Sequence, residues 1–114
     1  MKSPVTTHVL DTTLGKPAAG VGVVLAMQQS DGTWKELASG VTNNDGRIMD
    51  LLPEEVRPDS GVYRLTFQSG EYFRLLNAEC FYPRVTIEFM LKDGGHYHVP
   101  LLLSPFGYST YRGS

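Results

Sequence analysis

The chain has 114 residues, of which 41% are hydrophobic, and a formal net charge of -2 at pH 7. This length predicts one domain, residues 1–114, with a hydrophobic core of modest size. The weakly acidic balance argues against nucleic acid or an anionic membrane as a partner, and no apolar run is long enough for a transmembrane helix.

The amino-terminal residues 1–6 lack the apolar segment of a signal peptide, and the chain contains one cysteine, Cys80. A single cysteine cannot form a disulfide within the chain, which is compatible with a reducing compartment. We therefore expect a cytoplasmic protein in which Cys80 is a small buried residue and not a nucleophile.

In the first half of the chain, short alternating stretches separated by turn signals predict an all-β sandwich or barrel. Strands are predicted at residues 5–10, 21–28 and 34–38, with a loop at 11–17 and a hairpin turn at 30–32. Thr6, His8 and Leu10 share one face of the first strand. The strongest turn signal is Thr-Asn-Asn-Asp-Gly at residues 42–46, and Arg47 then begins a short strand.

The second half continues this pattern around one short helix. A strand is predicted at residues 62–68, and Ser69 is predicted to cap a helix over residues 70–77 with Tyr72, Leu75 and Leu76 on one face. Residues 85–92 predict the next strand, a tight turn follows at 93–95, and residues 96–103 are predicted as its hairpin partner. Pro100 predicts an edge position or a bulge. With a last strand at 108–112, the count is about eight strands and one helix.

Histidines are the most obvious candidates for chemistry. An imidazole titrates near neutral pH and transfers protons in catalysis. His96 and His98 share a strand face by their two-residue spacing, and with His8 they offer three nitrogen ligands for zinc. No further pattern in the sequence supports that zinc site, so surface or hydrogen-bonded histidines stay open as the alternative.

Arg47 and the carboxy-terminal residues are the other candidates. Arg47 is either a solvent-facing charge beside its turn or a planar donor that binds a carboxylate or carbonyl oxygen. Residues 111–114, Tyr-Arg-Gly-Ser, are either a frayed end or a packed tail. A packed tail supplies a hydroxyl, a guanidinium and a carboxylate to a site from Tyr111, Arg112 and Ser114.

Three segments carry a family resemblance. They are residues 6–18, with Thr-Thr-His-Val-Leu-Asp, residues 42–47, with Thr-Asn-Asn-Asp-Gly-Arg, and residues 96–105, with His-Tyr-His-Val-Pro-Leu-Leu-Leu-Ser-Pro, joined to the Tyr-Arg-Gly-Ser terminus. Together they resemble the 5-hydroxyisourate hydrolases, also called transthyretin-related proteins, essentially from end to end. The terminal Tyr-Arg-Gly-Ser is the signature that separates these hydrolases from transthyretin, the hormone carrier.

The resemblance implies a two-sheet, transthyretin-like β-sandwich of about eight strands with one short helix. It implies a homotetramer, a dimer of dimers, with active sites in a channel at the dimer–dimer interface. The implied reaction is hydrolysis of 5-hydroxyisourate to 2-oxo-4-hydroxy-4-carboxy-5-ureidoimidazoline in urate catabolism. Neither a cofactor nor a metal is implied.

The resemblance also assigns site residues. His8, Arg47, His98 and Ser114 are implied to be catalytic, and His8, Arg47, Tyr111 and Arg112 to bind substrate, whereas His96 is left out. On this hypothesis the histidines activate water and Arg47 stabilises the developing oxyanion. The alternatives are a transthyretin-like carrier of a small ligand and an immunoglobulin-like interaction module.

Overall fold

The computed structural model describes residues 3–92 and 94–114, which form two β-sheets and one short helix. This architecture confirms the predicted all-β sandwich. The elements in chain order are β1 (Val5–Asp11), β2 (Lys16–Pro17), β3 (Gly22–Gln28), β4 (Trp34–Val41), β5 (Arg47–Ile48), β6 (Gly61–Phe67), α1 (Ser69–Leu75), β7 (Val85–Leu91), β8 (Tyr97–Ser104) and β9 (Gly107–Thr110). Nine strands lie in the described residues instead of about eight, because the predicted loop at 11–17 contains the two-residue β2.

One sheet has five strands and contains β1 and β9, the first and last strands of the described residues. Its order is β2-β1-β8-β9, and β5 also pairs with β1. The other sheet has four strands in the order β4-β3-β6-β7. The β1–β8 pair is parallel, whereas the other strand pairs of the described chain are antiparallel.

The core lies between the two sheets and is built from the alternating apolar residues of their inner faces. Each large apolar side chain buried there stabilises the fold by about 1.5–3 kcal/mol. The largest fully buried side chains are Tyr63, Phe67, Leu25, Leu65, Leu91, Leu101 and Leu103. The described residues include no helix with the length and apolar character needed to cross a membrane.

The predicted hairpin between residues 85–92 and 96–103 is wrong. β7 pairs with β6 in the four-stranded sheet, whereas β8 lies between β1 and β9 in the other sheet. The chain therefore changes sheets at this point, and Asp93 of the predicted turn lies outside the described residues. Alternation identifies the buried face of each strand but not its partner strand. A β7–β8 hairpin and two strands in separate sheets therefore fit the same sequence pattern.

The predicted edge position of Pro100 is also wrong, because β8 is an inner strand. Pro100 lies opposite His8 of β1, and its carbonyl accepts a 2.7 Å hydrogen bond from the Thr110 hydroxyl. The β9 ladder stops at the neighbouring Leu101–Thr110 pair. Proline has no backbone N–H, and it is tolerated at position 100 because the paired strands need no hydrogen-bond donor there.

The helix buries a different face from the one predicted. Tyr72 and Phe73 are buried, whereas Leu75 and Leu76 are 65% and 47% exposed. The Tyr72 hydroxyl donates a 2.7 Å hydrogen bond to the carboxylate of Asp11, which is 1% exposed. This polar contact orients α1 against β1, and apolar spacing alone does not encode it.

The predicted capping role of Ser69 is wrong as well. The helix cap is Gln68, which makes no side-chain capping bond, while the Ser69 hydroxyl donates to the backbone carbonyl of Tyr82 at 3.1 Å. The thiol of the half-buried Cys80 lies 3.8 Å from the same carbonyl. The Ser69 hydroxyl therefore ties the segment after the helix to its first turn, whereas the Cys80 contact lies within that segment.

Candidate active site

His8 and Arg47 are direct partners across the β1–β5 pair. Residues opposite each other on antiparallel strands project to the same face of a sheet, here the outer face of the five-stranded sheet. His8 is half-buried and Arg47 is exposed. Burial lowers the pKa of His8, and the neighbouring Arg47 charge lowers it further, against the opposing effect of a hydrogen bond from the ring to the backbone carbonyl of Asp45.

The turn before β5 holds Arg47 in place. The Asn43 side-chain oxygen accepts hydrogen bonds from the backbone N–H groups of Asp45 at 2.9 Å and Arg47 at 3.0 Å. Gly46 has φ +73°, and a Cβ there would lie 2.4 Å from the carbonyl oxygen of Val9. Only glycine lets this turn lie flat against β1, which brings Arg47 beside His8.

His98 lies on the same outer face, on β8. It is the parallel register partner of Thr6, two residues before His8 on β1. Strand spacing and rise then place the Cα atoms of His8 and His98 about 8 Å apart. The fully buried Thr6 has its Oγ1 2.7 Å from Nδ1 of His98 and 3.1 Å from Nε2 of His96. The two imidazole rings stack, with centroids 6.4 Å apart.

The carboxy-terminal tail is paired with β8 through Gly113, so the frayed-end interpretation is wrong up to that residue. The Gly113 N–H donates a 2.8 Å hydrogen bond to the carbonyl of His98, and the two residues form an antiparallel bridge. The His98–Gly113 bridge has the same register as the β8–β9 pairing, so the tail continues the β9 pairing past Pro100. A Cβ on Gly113 would lie only 2.6 Å from Cδ2 of His98, so the tail lies directly against the catalytic candidate.

Tyr111 and Arg112 lie in the tail beside β7. The Arg112 guanidinium lies 4.4 Å from the centre of the Tyr97 ring, a cation–π contact. Both residues line a cleft of about 320 Å³ between the tail and β7, and His98 stands at its border. Ser114 is exposed. Within one chain, the structure therefore brings together His8, Arg47 and His98 on one sheet face, and Tyr111 and Arg112 share the neighbouring cleft with His98.

Thr6 touches two of the three histidines and was not predicted as a site residue. Thr6 shares a face with His8 by alternation, so its side was predictable. Its contact with His98 depends on the parallel β1–β8 pairing, which local patterns do not reveal. Among residues 3–92 and 94–114, no group of three or more His, Cys, Asp or Glu side chains is placed to hold a metal ion. The zinc alternative therefore has no ligand set in that part of the chain.

The chain is similar in sequence to a known family and to named hydrolases. The model of the transthyretin family, described as the HIUase/Transthyretin family, matches residues 5–113. A protein of Salmonella dublin named 5-hydroxyisourate hydrolase is 50% identical over 108 residues, covering 94% of this chain and 78% of the relative.

Two solved structures superpose closely on the fold. Sea bream transthyretin in complex with thyroxine has a TM-score of 0.90 at 33% identity and covers 96% of this chain and 94% of its own. The 5-hydroxyisourate hydrolase of Klebsiella pneumoniae has a TM-score of 0.83 at 38% identity and covers 96% of this chain and 92% of its own. The backbone thus resembles a carrier and a hydrolase alike, and the chain belongs to the HIUase/transthyretin family.

Proposed function

We propose that this chain hydrolyses 5-hydroxyisourate to 2-oxo-4-hydroxy-4-carboxy-5-ureidoimidazoline. The observation that carries the proposal is the convergence of His8, Arg47 and His98 on one sheet face. A relative that is 50% identical bears the name of this hydrolase. A general base, a hydrogen-bonding imidazole and a fixed cation are the groups that water attack on an activated cyclic amide requires.

The two histidines activate the water molecule in this proposal. The lowered pKa keeps His8 neutral at pH 7, so a ring nitrogen is available to accept a proton. The water oxygen bonds to the amide carbon, the carbon–nitrogen bond breaks, and the proton taken by the histidine passes to the leaving nitrogen. His98 orients the water and the carbonyl from the adjacent strand.

Arg47 supplies the positive charge. A guanidinium donates two parallel hydrogen bonds to carbonyl or anionic oxygens and cannot lose its proton at neutral pH. Placed beside His8, it holds the oxygen-rich substrate and stabilises the oxyanion that develops during attack. Its charge also favours the neutral form of His8, so one residue supports both binding and the base.

The tail completes the substrate contacts in this proposal. Tyr111 and Arg112 contact the substrate ring, and Ser114 adds its hydroxyl and carboxylate. In a single chain Tyr111 is 58% exposed and Arg112 rests on Tyr97. We therefore assign these contacts to the assembled protein, where a second copy covers the open outer face and turns it into a channel.

The assembly we propose is a homotetramer, a dimer of dimers. β7 and β9 are edge strands of their sheets and flank the cleft beside the tail. Unpaired edges present free backbone donors and acceptors for another chain. Met90 on β7 and Tyr108 on β9 are 65% and 42% exposed. Light scattering after gel filtration should give about four times the 12.6 kDa chain mass; a monomer would contradict this part.

We also place the reaction in the cytoplasm. The one cysteine, Cys80, is free, which suits a reducing compartment. Immunodetection in fractions of the source cells tests this location, and recovery in a secreted fraction would contradict it.

A carrier function is the second candidate, favoured by the TM-score of 0.90 with a thyroxine-bound transthyretin. A shared fold does not transfer a binding site, however. His8, Arg47 and His98 form a charged, titratable surface that an apolar ligand does not need. Calorimetric titration with thyroxine measures this alternative directly.

The deciding experiment follows freshly made 5-hydroxyisourate by ultraviolet absorbance, with and without the protein. The proposed hydrolase accelerates decay in proportion to protein concentration, and Arg47→Ala removes most of that acceleration. A carrier binds thyroxine and leaves the spontaneous rate unchanged. An unchanged rate with wild-type protein therefore refutes the proposed function.

A further inference from the structure

A buried hydroxyl lies between two histidine rings at the edge of the candidate site. Thr6 is fully buried, and its Oγ1 is within hydrogen-bond distance of Nδ1 of His98 and Nε2 of His96. We propose that Thr6 and His96 are positioning residues that hold neutral His98 in the tautomer with its proton on Nε2. This inference rests on the proposed function for its catalytic meaning, although the tautomer is measurable without activity.

The argument starts from the proton count of the hydroxyl. A threonine hydroxyl donates one hydrogen bond and accepts up to two. It therefore cannot donate to both rings at once. A neutral ring that does not receive this proton must carry its own proton on the nitrogen facing Thr6, because two lone pairs facing each other repel. The protonation of His98 and His96 is thus coupled through Thr6.

The two distances indicate which group donates in each hydrogen bond, and we call this pair of bonds the relay. Hydroxyl donors make shorter hydrogen bonds, typically about 2.7–2.8 Å, than N–H donors, typically about 2.9–3.0 Å. The 2.7 Å contact fits donation from Thr6 to Nδ1 of His98. The 3.1 Å contact fits donation from Nε2–H of His96 to Thr6. With Nδ1 occupied as an acceptor, the proton of neutral His98 lies on Nε2.

This arrangement gives the two site histidines different tasks. The pKa of His8 is lowered, chiefly by burial and then by the Arg47 charge, so its ring is neutral at pH 7 and one of its nitrogens carries a lone pair. His8 is then the base that takes the proton from water. His98, with its proton on Nε2, donates a hydrogen bond to the carbonyl oxygen as charge develops there. A tautomer change at His98 removes that donor without moving the backbone.

His96 contacts the Thr6 hydroxyl and the His98 ring. It is exposed, whereas His98 is half-buried. Its ring stacks on His98 at an angle of 14° between the planes, which keeps Nε2 directed at the hydroxyl. His96 therefore contributes to the order of His98 without contacting the substrate.

The test replaces the hydroxyl and keeps the shape. Thr6→Val removes the relay, Thr6→Ser restores a hydroxyl, and Thr7→Val is the matched control. Thr7 is equally buried on the same strand, but it faces the core and donates to the carbonyl of Val99 at 2.6 Å. Thermal unfolding of all three variants measures the loss of stability that any buried hydroxyl causes.

Two readouts separate positioning from stability. Nitrogen-15 NMR of the histidine side chains at about pH 8.5, where imidazoles are neutral, should show wild-type His98 protonated on Nε2 with a hydrogen-bonded Nδ1. In Thr6→Val the Nδ1 resonance should move to the position of a nitrogen without that bond. In the hydrolysis assay, kcat should fall about tenfold with KM unchanged, the size expected for one hydrogen bond. Thr6→Ser and Thr7→Val should keep the wild-type tautomer and kcat.

The inference is overturned if wild-type His98 carries its proton on Nδ1, or if Thr6→Val retains both the nitrogen-15 pattern and kcat. It is also overturned if Thr7→Val lowers kcat as much as Thr6→Val, because the effect is then one of stability. A wild-type protein without hydrolase activity refutes the proposed function separately, and the NMR result still decides the relay.

Discussion

Replacing Gly113 by alanine adds one methyl group at the contact between the tail and His98. The new Cβ would lie 2.6 Å from Cδ2 of His98 and 3.3 Å from Cγ of both His98 and Pro100. Carbon atoms in ordinary contact are about 3.5–4.0 Å apart. Either the tail or the imidazole must therefore move by about 1 Å. His98 is hydrogen-bonded to Thr6 through Nδ1, and its carbonyl accepts a hydrogen bond from the Gly113 N–H. Movement of the ring therefore weakens the first bond, and movement of the tail weakens the second.

The expected losses of stability and activity depend on whether the tail or the His98 ring moves. Detachment of the tail breaks the bond from the Gly113 N–H to the carbonyl of His98, which contributes about 1 kcal/mol to stability. Displacement of the ring by about 1 Å costs about 10²-fold in catalysis. We therefore expect a large loss of kcat/KM with a small change in melting temperature, because the core between the sheets is untouched.

The assay is hydrolysis of 5-hydroxyisourate, alongside thermal unfolding by circular dichroism. Gly107→Ala is the control, since its Cβ would meet only Oγ of Ser104 at 3.6 Å, an ordinary contact. Its kcat/KM should stay near that of the wild type. If Gly113→Ala is also as active as the wild type, the tail does not constrain His98 and the reasoning is refuted.

Three further predictions concern the site and its support. Arg47→Ala should lower kcat/KM by about 10²-fold or more through lost charge stabilisation. The control Arg74→Ala, on the exposed surface of α1, should not; equal effects would contradict a specific role. The kcat/KM of the wild type should fall only below pH 6.5, because the lowered pKa keeps His8 unprotonated down to that range. Arg47→Ala should move this fall in kcat/KM to higher pH, because the Arg47 charge lowers the pKa of His8. A fall in kcat/KM that begins above pH 7 in the wild type would contradict His8 as the base. Tyr72→Phe should destabilise the fold by about 1–3 kcal/mol in chemical unfolding, because the buried Asp11 loses a donor; an unchanged unfolding midpoint would contradict that role.

Local patterns were sufficient for the strands and for the turn that carries Arg47. Alternation in residues 62–68 and 85–92 predicts β6 and β7 to within one residue at their ends, because a strand with one buried face must alternate whatever its partner. The Asn-Asp-Gly signal places Gly46 at a positive φ, a requirement of the backbone itself. The helix face was missed because a seven-residue helix is oriented by the Tyr72–Asp11 hydrogen bond and not by apolar spacing.

The sequence by itself determined the alternating strands, the sandwich class and, through family resemblance, the set of candidate residues. Only the tertiary structure decided that β8 joins β1 in parallel, which brings His98 onto Thr6 and into the neighbourhood of His8. It alone also showed that the tail pairs with β8 through Gly113. The reason is physical: alternation and turn preference act between neighbours along the chain, whereas strand pairing joins residues about 90 positions apart and depends on the packing of the whole sandwich.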